Sequence, residues 1–291
     1  MVSFCHFFLT SSLVFGAPAG APADTLTVFD AGSLALPVKV ALDSFAAHTH
    51  TVVQQENAGS LETARKLTEL GRIPDVLALA DYEVFPRYLM PKYVTWYTEF
   101  ARNRMVITYT KGSITADNWF DVLAKPGVEV GRSDPRLDPA GYRALLVWQL
   151  AEKYYKRPGL ADRLLSNAPA RNMRPKSADL TALVQTGDLD YAWEYESVAQ
   201  AAGLSYLTLP KQIDLGDPGE AQTYGEASVR VDTVLVRGEP IVYGLSIPTH
   251  APHPGTAKQF VDFLLSAEGR VILRRAHLDV LDTPIRVGPR S

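Results

Sequence analysis

The chain has 291 residues, 46% of them hydrophobic and 10% aromatic, and its 29 basic residues against 32 acidic ones give a net charge of −3. This composition excludes an intrinsically disordered chain, and the near-neutral charge offers no electrostatic surface for nucleic acid. The single cysteine, Cys5, excludes an intrachain disulfide and a zinc or iron–sulfur centre built on cysteines.

Residues 1–23 are predicted to be a secretory signal peptide. No Asp, Glu, Lys or Arg precedes Asp24, the segment from Phe4 to Phe15 is mostly apolar, and small residues readable as two cleavage sites follow it. Such a short apolar segment cannot span a membrane as a permanent helix. The segment lacks the usual basic residues at its start, and a buried N-terminal helix is the alternative interpretation. Export would place the protein in the periplasm or otherwise outside the cytoplasm.

Strands and helices alternate along the rest of the chain. Short apolar or β-branched segments predict strands at 26–29, 52–53, 75–80, 105–109, 128–130, 190–194, 234–236 and 241–245. Apolar residues at helical spacing predict helices at 34–45, 61–70, 118–123, 140–155, 257–265 and 269–275. The last two strands are expected to pair around a turn at 237–239. This alternation predicts an α/β architecture with mostly parallel sheets.

Two serines share the same local context. Ser33 and Ser60 each follow a glycine after a predicted strand, and each begins a predicted helix. A serine hydroxyl, the N–H groups of a helix N-terminus and the close backbone approach that glycine allows can together bind an anion. An ordinary helix-capping serine explains either position alone. Because the same context occurs twice, an anion site and a pair of helix caps are equally good interpretations. The pattern does not identify the anion.

Two acidic residues are candidates for ligand contacts. Asp138 followed by Pro139 is a typical N-cap before the long predicted helix, and this structural role is sufficient on its own. Glu194 is predicted at the carboxyl end of a strand, the edge where open α/β sheets bind ligands, although a solvated strand end is the simpler interpretation. No motif of a zinc protease, a serine hydrolase or a nucleotide-binding loop is present, which favours a binding protein over an enzyme.

Collinear motifs cover nearly the whole chain after Asp24. They are AGSL at 31–34, AGSLE at 58–62, PDVLALADY at 74–82, PKY at 91–93, DPAGYR at 138–143, YAWEYESVA at 191–199, IDLGD at 213–217 and PIVYG at 240–244. With these motifs the chain resembles the tungstate/molybdate-binding components of ABC importers, in the WtpA-like branch of the ModA-like solute-binding proteins.

The resemblance implies a periplasmic-binding-protein type II fold. In this α/β fold two lobes are joined by two crossover strands, and the ligand lies in the cleft between them. The crossovers are expected near 108–110 and 242–245. The first lobe would then comprise residues 24–109 and 243–291, and the second lobe residues 110–242.

The resemblance also implies how the ligand is held. In this branch an aspartate and a glutamate coordinate the metal centre of the oxyanion directly and raise it from four- to six-coordinate, and motif matching assigns these roles to Asp138 and Glu194. A carboxylate oxygen is a hard ligand that suits hard W(VI) or Mo(VI). Ala140 replaces a cysteine that is usual in the family but retains its backbone N–H. The remaining predicted ligand contacts are Gly32, Ser33, Ser60, Pro139 and Ala140.

The implied function is capture of tungstate or molybdate for an ABC importer. Its permease and ATPase subunits would be the partners of a monomeric protein that has no other cofactor, no catalytic residues and no nucleic-acid partner. A binding protein for sulfate, phosphate or a small carboxylate is the alternative, although two carboxylates would repel an anion held by hydrogen bonds alone. A third hypothesis is an exported hydrolase with Asp138 and Glu194 as its acid–base pair.

Overall fold

A computed structural model of the protein describes residues 25–289, so the predicted signal peptide lies outside the described residues. These residues form a six-stranded sheet, a five-stranded sheet and a separate two-stranded hairpin. The strands are β1 Thr25–Ala31, β2 Val52–Ala58, β3 Val76–Leu79, β4 Tyr97–Arg102, β5 Met105–Tyr109, β6 Val130–Ser133, β7 Met173–Arg174, β8 Tyr191–Tyr195, β9 Ser205–Thr208, β10 Ser228–Val231, β11 Val234–Arg237, β12 Val242–Ser246 and β13 Asp279–Val287.

Helices follow most of the strands. They are α1 Ala35–Thr49, α2 Ser60–Thr68, α3 Trp119–Leu123, α4 Pro139–Tyr154, α5 Leu160–Asn167, α6 Leu180–Thr186, α7 Glu196–Ala201, α8 Ala221–Tyr224, α9 Pro254–Leu265 and α10 Ala267–Arg275. Two short 3-10 turns, Gly32–Leu34 and Ser177–Asp179, also bear on the site described below. Within residues 25–289, no helix has both the length and the apolar character needed to cross a membrane.

Both larger sheets are mixed, so the expectation of mostly parallel sheets is wrong. In the first sheet, ordered β13-β4-β12-β3-β1-β2, β1 is parallel to β2 and β3, whereas β12 is antiparallel to β3 and β4. In the second sheet, ordered β7-β6-β8-β5-β9, β6 is parallel to β7 and β8, whereas β5 is antiparallel to β8 and β9. Every antiparallel pair in these two sheets includes β4, β5 or β12, the strands on either side of the points where the chain crosses between the sheets.

The chain passes between the two sheets twice. β4 belongs to the first sheet and β5 to the second, so the first crossing lies at 103–104 and not at the expected 108–110. The return lies between β11 and β12, at 238–241, just before the expected 242–245. The Asn103 N–H donates to the Ile241 carbonyl at 3.3 Å, which joins the two crossings.

We call the parts built on the first and second sheets the first and second lobe. With β5 in the second sheet, the boundary of the second lobe falls at the first crossing and not at 109. The movement of the two lobes relative to each other stays a prediction.

The expected pairing of segments 234–236 and 241–245 is wrong. β11 pairs with β10, with Val234 opposite Val231, and β12 lies between β3 and β4 in the first sheet. The expected turn begins at the last residue of β11 and runs into the second crossing, which leads the chain to the other lobe. The apolar pattern identified both strands, but it could not specify their partners.

Each lobe has a buried aromatic group beneath its sheet. Trp193 of β8 packs edge-to-face against Trp119 and Trp148, with ring centroids 5.5 and 5.8 Å apart. In the first lobe Phe45 of α1 packs against Phe260 of α9 at 5.4 Å. Burial of such large rings is a major source of stability. The packing gives rigid support to the strand ends that carry the candidate site.

Candidate functional site

Ser33 and Ser60 lie in the first lobe, after the carboxyl ends of β1 and β2. Ser33 is within a 3-10 turn whose N-cap is Ala31, and Ser60 is the first residue of α2, whose N-cap is Gly59. The interpretation of these serines as ordinary helix caps is therefore wrong. Instead, the Ser33 Oγ accepts the Tyr243 hydroxyl at 2.9 Å, and the Ser60 Oγ accepts the N–H of Ala80 at 3.0 Å. These bonds orient each serine so that its own proton can be donated to a ligand.

Asp138 lies in the second lobe and does cap α4, as predicted. Its Oδ1 accepts the Ala140 N–H at 3.0 Å, and Pro139 occupies the first turn of the helix. Its Oδ2 accepts the N–H of Ser177 at 2.6 Å. The side chain is nevertheless almost completely buried, with 4% of the residue exposed. A carboxyl group is costly to bury unless it is paired, and both Asp138 oxygens are paired with backbone N–H groups.

Glu194 lies at the end of β8, in the second lobe, and is fully buried. The interpretation as a solvated strand end is therefore wrong. Its Oε2 accepts the N–H of Tyr195 at 2.9 Å. The other oxygen, Oε1, has no hydrogen-bond partner within residues 25–289. A buried carboxylate oxygen without a partner is energetically costly and points to a ligand that would satisfy it.

The two carboxyl groups influence each other. Burial raises the pKa of Asp138 to about 6, although hydrogen bonds from the N–H groups of Ala140 and Ser177 oppose the shift. Burial raises the pKa of Glu194 well above its usual range; the N–H of Tyr195 opposes this shift, and the negative charge of Asp138 adds to it. Two carboxylates in this environment favour a ligand that brings positive charge between them.

The lobes meet at Asp138 and the turn that leads into Ser60. The N–H groups of Leu61 and Glu62, in the first turn of α2, donate to the Leu137 carbonyl of the second lobe at 3.1 and 3.2 Å. A Cβ at Gly59 would lie 2.2 Å from that carbonyl oxygen and 3.1 Å from the Cα of Asp138, so the approach requires glycine. The structure therefore brings the Ser60 turn against Asp138, with the cleft closed.

Some backbone N–H groups that were expected to bind the ligand already donate hydrogen bonds within the protein. The first turn of α2 donates to Leu137, and the Ala140 N–H donates to the Asp138 side chain. The two serine hydroxyls therefore stand out as the side-chain donors that the first lobe can offer a ligand. Gly32 and Pro139 lie beside these groups, and their role as ligand contacts stays a prediction.

Two further residues of the site were missed by sequence reasoning. Ser177 lies beside both carboxyl groups: its N–H donates to the Oδ2 of Asp138, and its side chain lowers the pKa of Glu194. Arg143 is buried and donates to the Ala80 carbonyl at 2.7 Å and to the Tyr195 hydroxyl at 2.6 Å. Its positive charge partly stabilises the carboxylate form of Asp138. Arg143 stands within the DPAGYR motif, but no sequence signal marked Ser177.

The site differs from that of a resident metal ion. Among the described residues, no group of three or more His, Cys, Asp or Glu side chains could hold a metal ion. Two carboxyl groups and two hydroxyl donors instead suit a ligand that carries both an electron-poor centre and peripheral oxygens. An oxyanion of a metal has this chemistry.

Solved structures of similar shape support the fold. The periplasmic molybdate-binding protein of Azotobacter vinelandii matches with a TM-score of 0.65 and 18% identity, over 87% of this chain and 98% of that one. The sulfate-binding protein SubI of Mycobacterium tuberculosis matches with a TM-score of 0.65 and 14% identity, over 89% and 88% of the two chains. With the two mixed sheets, these matches confirm the periplasmic-binding-protein type II fold.

Sequence relatives identify the family. Residues 26–279 match the model of the family described as bacterial extracellular solute-binding protein. The molybdate/tungstate-binding proteins WtpA of Thermococcus kodakarensis and Pyrococcus abyssi are 37% and 34% identical, over 91% and 95% of this chain and 84% and 92% of theirs. An uncharacterised solute-binding protein of Petrotoga mobilis is 43% identical, over 85% of this chain and 81% of its own length. These relatives are solute-binding proteins and not enzymes, and the two WtpA proteins match this chain over nearly its whole length. The chain belongs to the family of bacterial extracellular solute-binding proteins.

Proposed function

We propose that this protein captures molybdate or tungstate outside the cytoplasm and presents it to an ABC importer. The observation that carries the proposal is the pair of buried carboxyl groups, Asp138 and Glu194, in a cleft closed between two lobes. The relatives named molybdate/tungstate-binding protein support the same ligand.

The proposed coordination explains why an anion-binding cleft contains acids. A carboxylate repels the oxygens of an oxyanion, but it is a good ligand for a hard, electron-poor metal centre. Asp138 and Glu194 would each bring one oxygen to the metal and raise it from four- to six-coordinate. The hydroxyls of Ser33 and Ser60 would donate to the oxo groups. Binding would then provide the partner that Glu194 Oε1 lacks among the described residues.

Sulfate and phosphate suit this cleft less well. Their central atoms do not accept additional carboxylate ligands, so both acids would contribute repulsion without a compensating bond. The likeness to SubI concerns the fold, because the two chains are only 14% identical. A cleft that offers only hydrogen-bond donors would bind sulfate better.

Calorimetric titration of the purified protein tests the ligand. Tungstate and molybdate are expected to bind with dissociation constants in the micromolar range or below. Sulfate and phosphate, titrated under the same conditions, are expected to bind at least roughly 100-fold more weakly, which corresponds to about 2.8 kcal/mol. Tight sulfate or phosphate binding without tungstate or molybdate binding would refute the proposal.

The family places the protein outside the cytoplasm, and its export and partners are part of the proposal. We propose that residues 1–23 are a signal peptide, that the protein acts as a monomer, and that its partners are the permease and ATPase of the importer. N-terminal sequencing of protein secreted by the native host tests the first point, with a start near Asp24 expected. Recovery of intact, uncleaved protein in the cytoplasm would contradict it.

A further inference from the structure

Lys176 belongs to the second lobe but reaches the first. It follows β7 and precedes the 3-10 turn Ser177–Asp179. Its Nζ donates to the Oδ1 of Asn57, at the end of β2, at 2.7 Å. Its aliphatic stem crosses the backbone of Gly32, where an added Cβ would lie 3.0 Å from the Cδ of Lys176 and 3.3 Å from its Cβ. One side chain thus joins the lobes through a hydrogen bond and a close packing contact.

This contact lies far from the crossings in both sheets. In the first sheet β2 is three strands away from β12, and in the second sheet β7 is three strands away from β5. Neighbouring strands are about 4.8 Å apart, so each contact point is roughly 14 Å from the strand that enters its sheet from a crossing. A hinge rotation displaces atoms in proportion to their distance from its axis. The Lys176–Asn57 bond must therefore break early when the cleft opens.

The same segment contacts one of the two carboxyl groups. The Ser177 N–H donates to the Oδ2 of Asp138 at 2.6 Å. Lys176 is therefore one residue away from the N–H group that binds Asp138, a proposed ligand of the metal centre. Lys176 also lies 3.6 Å from the Oδ1 of Asp179 in its own lobe, so its charge keeps a partner when Asn57 moves away.

We propose that Lys176 is a positioning residue that latches the mouth of the cleft over the bound oxyanion. By releasing Asn57 while keeping Asp179 as a partner, it would set how fast the ligand escapes. The expected effect of Lys176 on ligand release rests on the proposed function, because it assumes that an oxyanion is the ligand.

Two ion pairs also join the lobes. Arg65–Asp232 at 3.0 Å has side chains that are 39% and 52% exposed, so water and salt weaken it. Arg143–Asp81 at 3.6 Å is buried, but Asp81 follows β3, the strand next to β12, and so lies nearer the crossings than Asn57 does.

Dissociation kinetics with tungstate test the latch. Lys176→Met and Asn57→Leu are each expected to raise the dissociation rate constant roughly tenfold, because each removes one partner of a charged hydrogen bond, while association changes less than twofold. The double variant is expected to match Lys176→Met, since both changes remove the same bond. Lys258→Met, at an exposed lysine paired within the first lobe, is the control and is expected to behave like the parent. Rates within twofold of the parent, or additive effects, would overturn the proposal.

A measurement without ligand separates the latch from the choice of ligand. Spin labels on Leu70→Cys and Leu165→Cys, in a Cys5→Ser background, report the distance between an exposed site on each lobe. In ligand-free protein Lys176→Met is expected to shift the distance distribution towards the open cleft. An unchanged distribution would overturn the latch even where tungstate binds. A shifted distribution in a protein that binds no oxyanion would support the latch and refute the proposed function instead.

Discussion

At the scale of single residues, Asp138 and Glu194 set this cleft apart from an anion site that consists of donors alone. Both acids are buried, and burial raises the pKa of each. A buried carboxyl group is costly to a protein, and the Arg143 charge offsets this cost only in part for Asp138, so the pair calls for a function. The proposed coordination of an electron-poor metal centre would give both acids such a function.

Replacing Glu194, one of the two proposed metal ligands, tests this assignment. Glu194→Gln is expected to weaken tungstate binding roughly 100-fold or more, because an amide is a poor ligand for a hard metal centre. The melting temperature is expected to stay the same or rise, since a neutral amide is easier to bury than a carboxylate. Glu196→Gln, two residues on and ion-paired with Arg104 at the surface, is the matched control. Parent-like affinity of Glu194→Gln would contradict coordination by this residue.

Asp30 provides a prediction about pH and stability. Burial raises its pKa to about 8, against the opposing effects of the Gln55 hydrogen bond and the positive charges of Lys176 and Lys66. The folded protein therefore holds a proton that the unfolded chain releases above about pH 4. Since the folded state binds more protons, the free energy of unfolding falls as pH rises from about 4 to about 8.

Asp30→Asn is expected to remove this contribution. The variant should be as stable as the parent near pH 4 and more stable near pH 8, by a few kcal/mol in order of magnitude. Thermal unfolding at a series of pH values measures the difference. A stability difference between variant and parent that stays constant over this pH range would contradict a raised pKa for Asp30.

At the scale of elements, the structure explains which predictions could succeed. The segment 105–109 is β5, and the helix predicted at 140–155 is α4, because a buried strand and an amphipathic helix leave local apolar patterns. β13 was missed, since most of its residues are exposed or half-buried and give no alternation. The partners of β11 and β12 were wrong because pairing depends on the path of the chain between lobes.

The first turn of α2 provides a prediction about closure. Gly59→Ala would place a Cβ 2.2 Å from the Leu137 carbonyl oxygen of the other lobe. We expect the lobes to fold but not to close fully, so tungstate affinity should fall roughly tenfold or more while thermal stability without ligand changes little. Gly255→Ala, where an added Cβ meets nothing within 4 Å, is the control. Unchanged affinity in Gly59→Ala would mean that binding does not require this approach.

At the scale of the whole molecule, the site exists because two lobes bring distant segments together. Motifs in the sequence indicated Ser33, Ser60, Asp138 and Glu194 by resemblance to a family, and the structure brings Ser60 close to Asp138. Lys176 could not be predicted, because its role depends on a contact across the cleft that leaves no local pattern. Residues that act within one element are thus accessible from sequence, whereas residues that act between lobes require the structure.

X-ray absorption at the tungsten edge tests the central claim most directly, because it counts the oxygen atoms around the bound metal. The account predicts six oxygen neighbours in the parent protein with tungstate, four from the oxyanion and two from Asp138 and Glu194, and fewer neighbours in Glu194→Gln at saturating tungstate. A four-coordinate spectrum like that of free tungstate in the saturated parent protein would contradict the account.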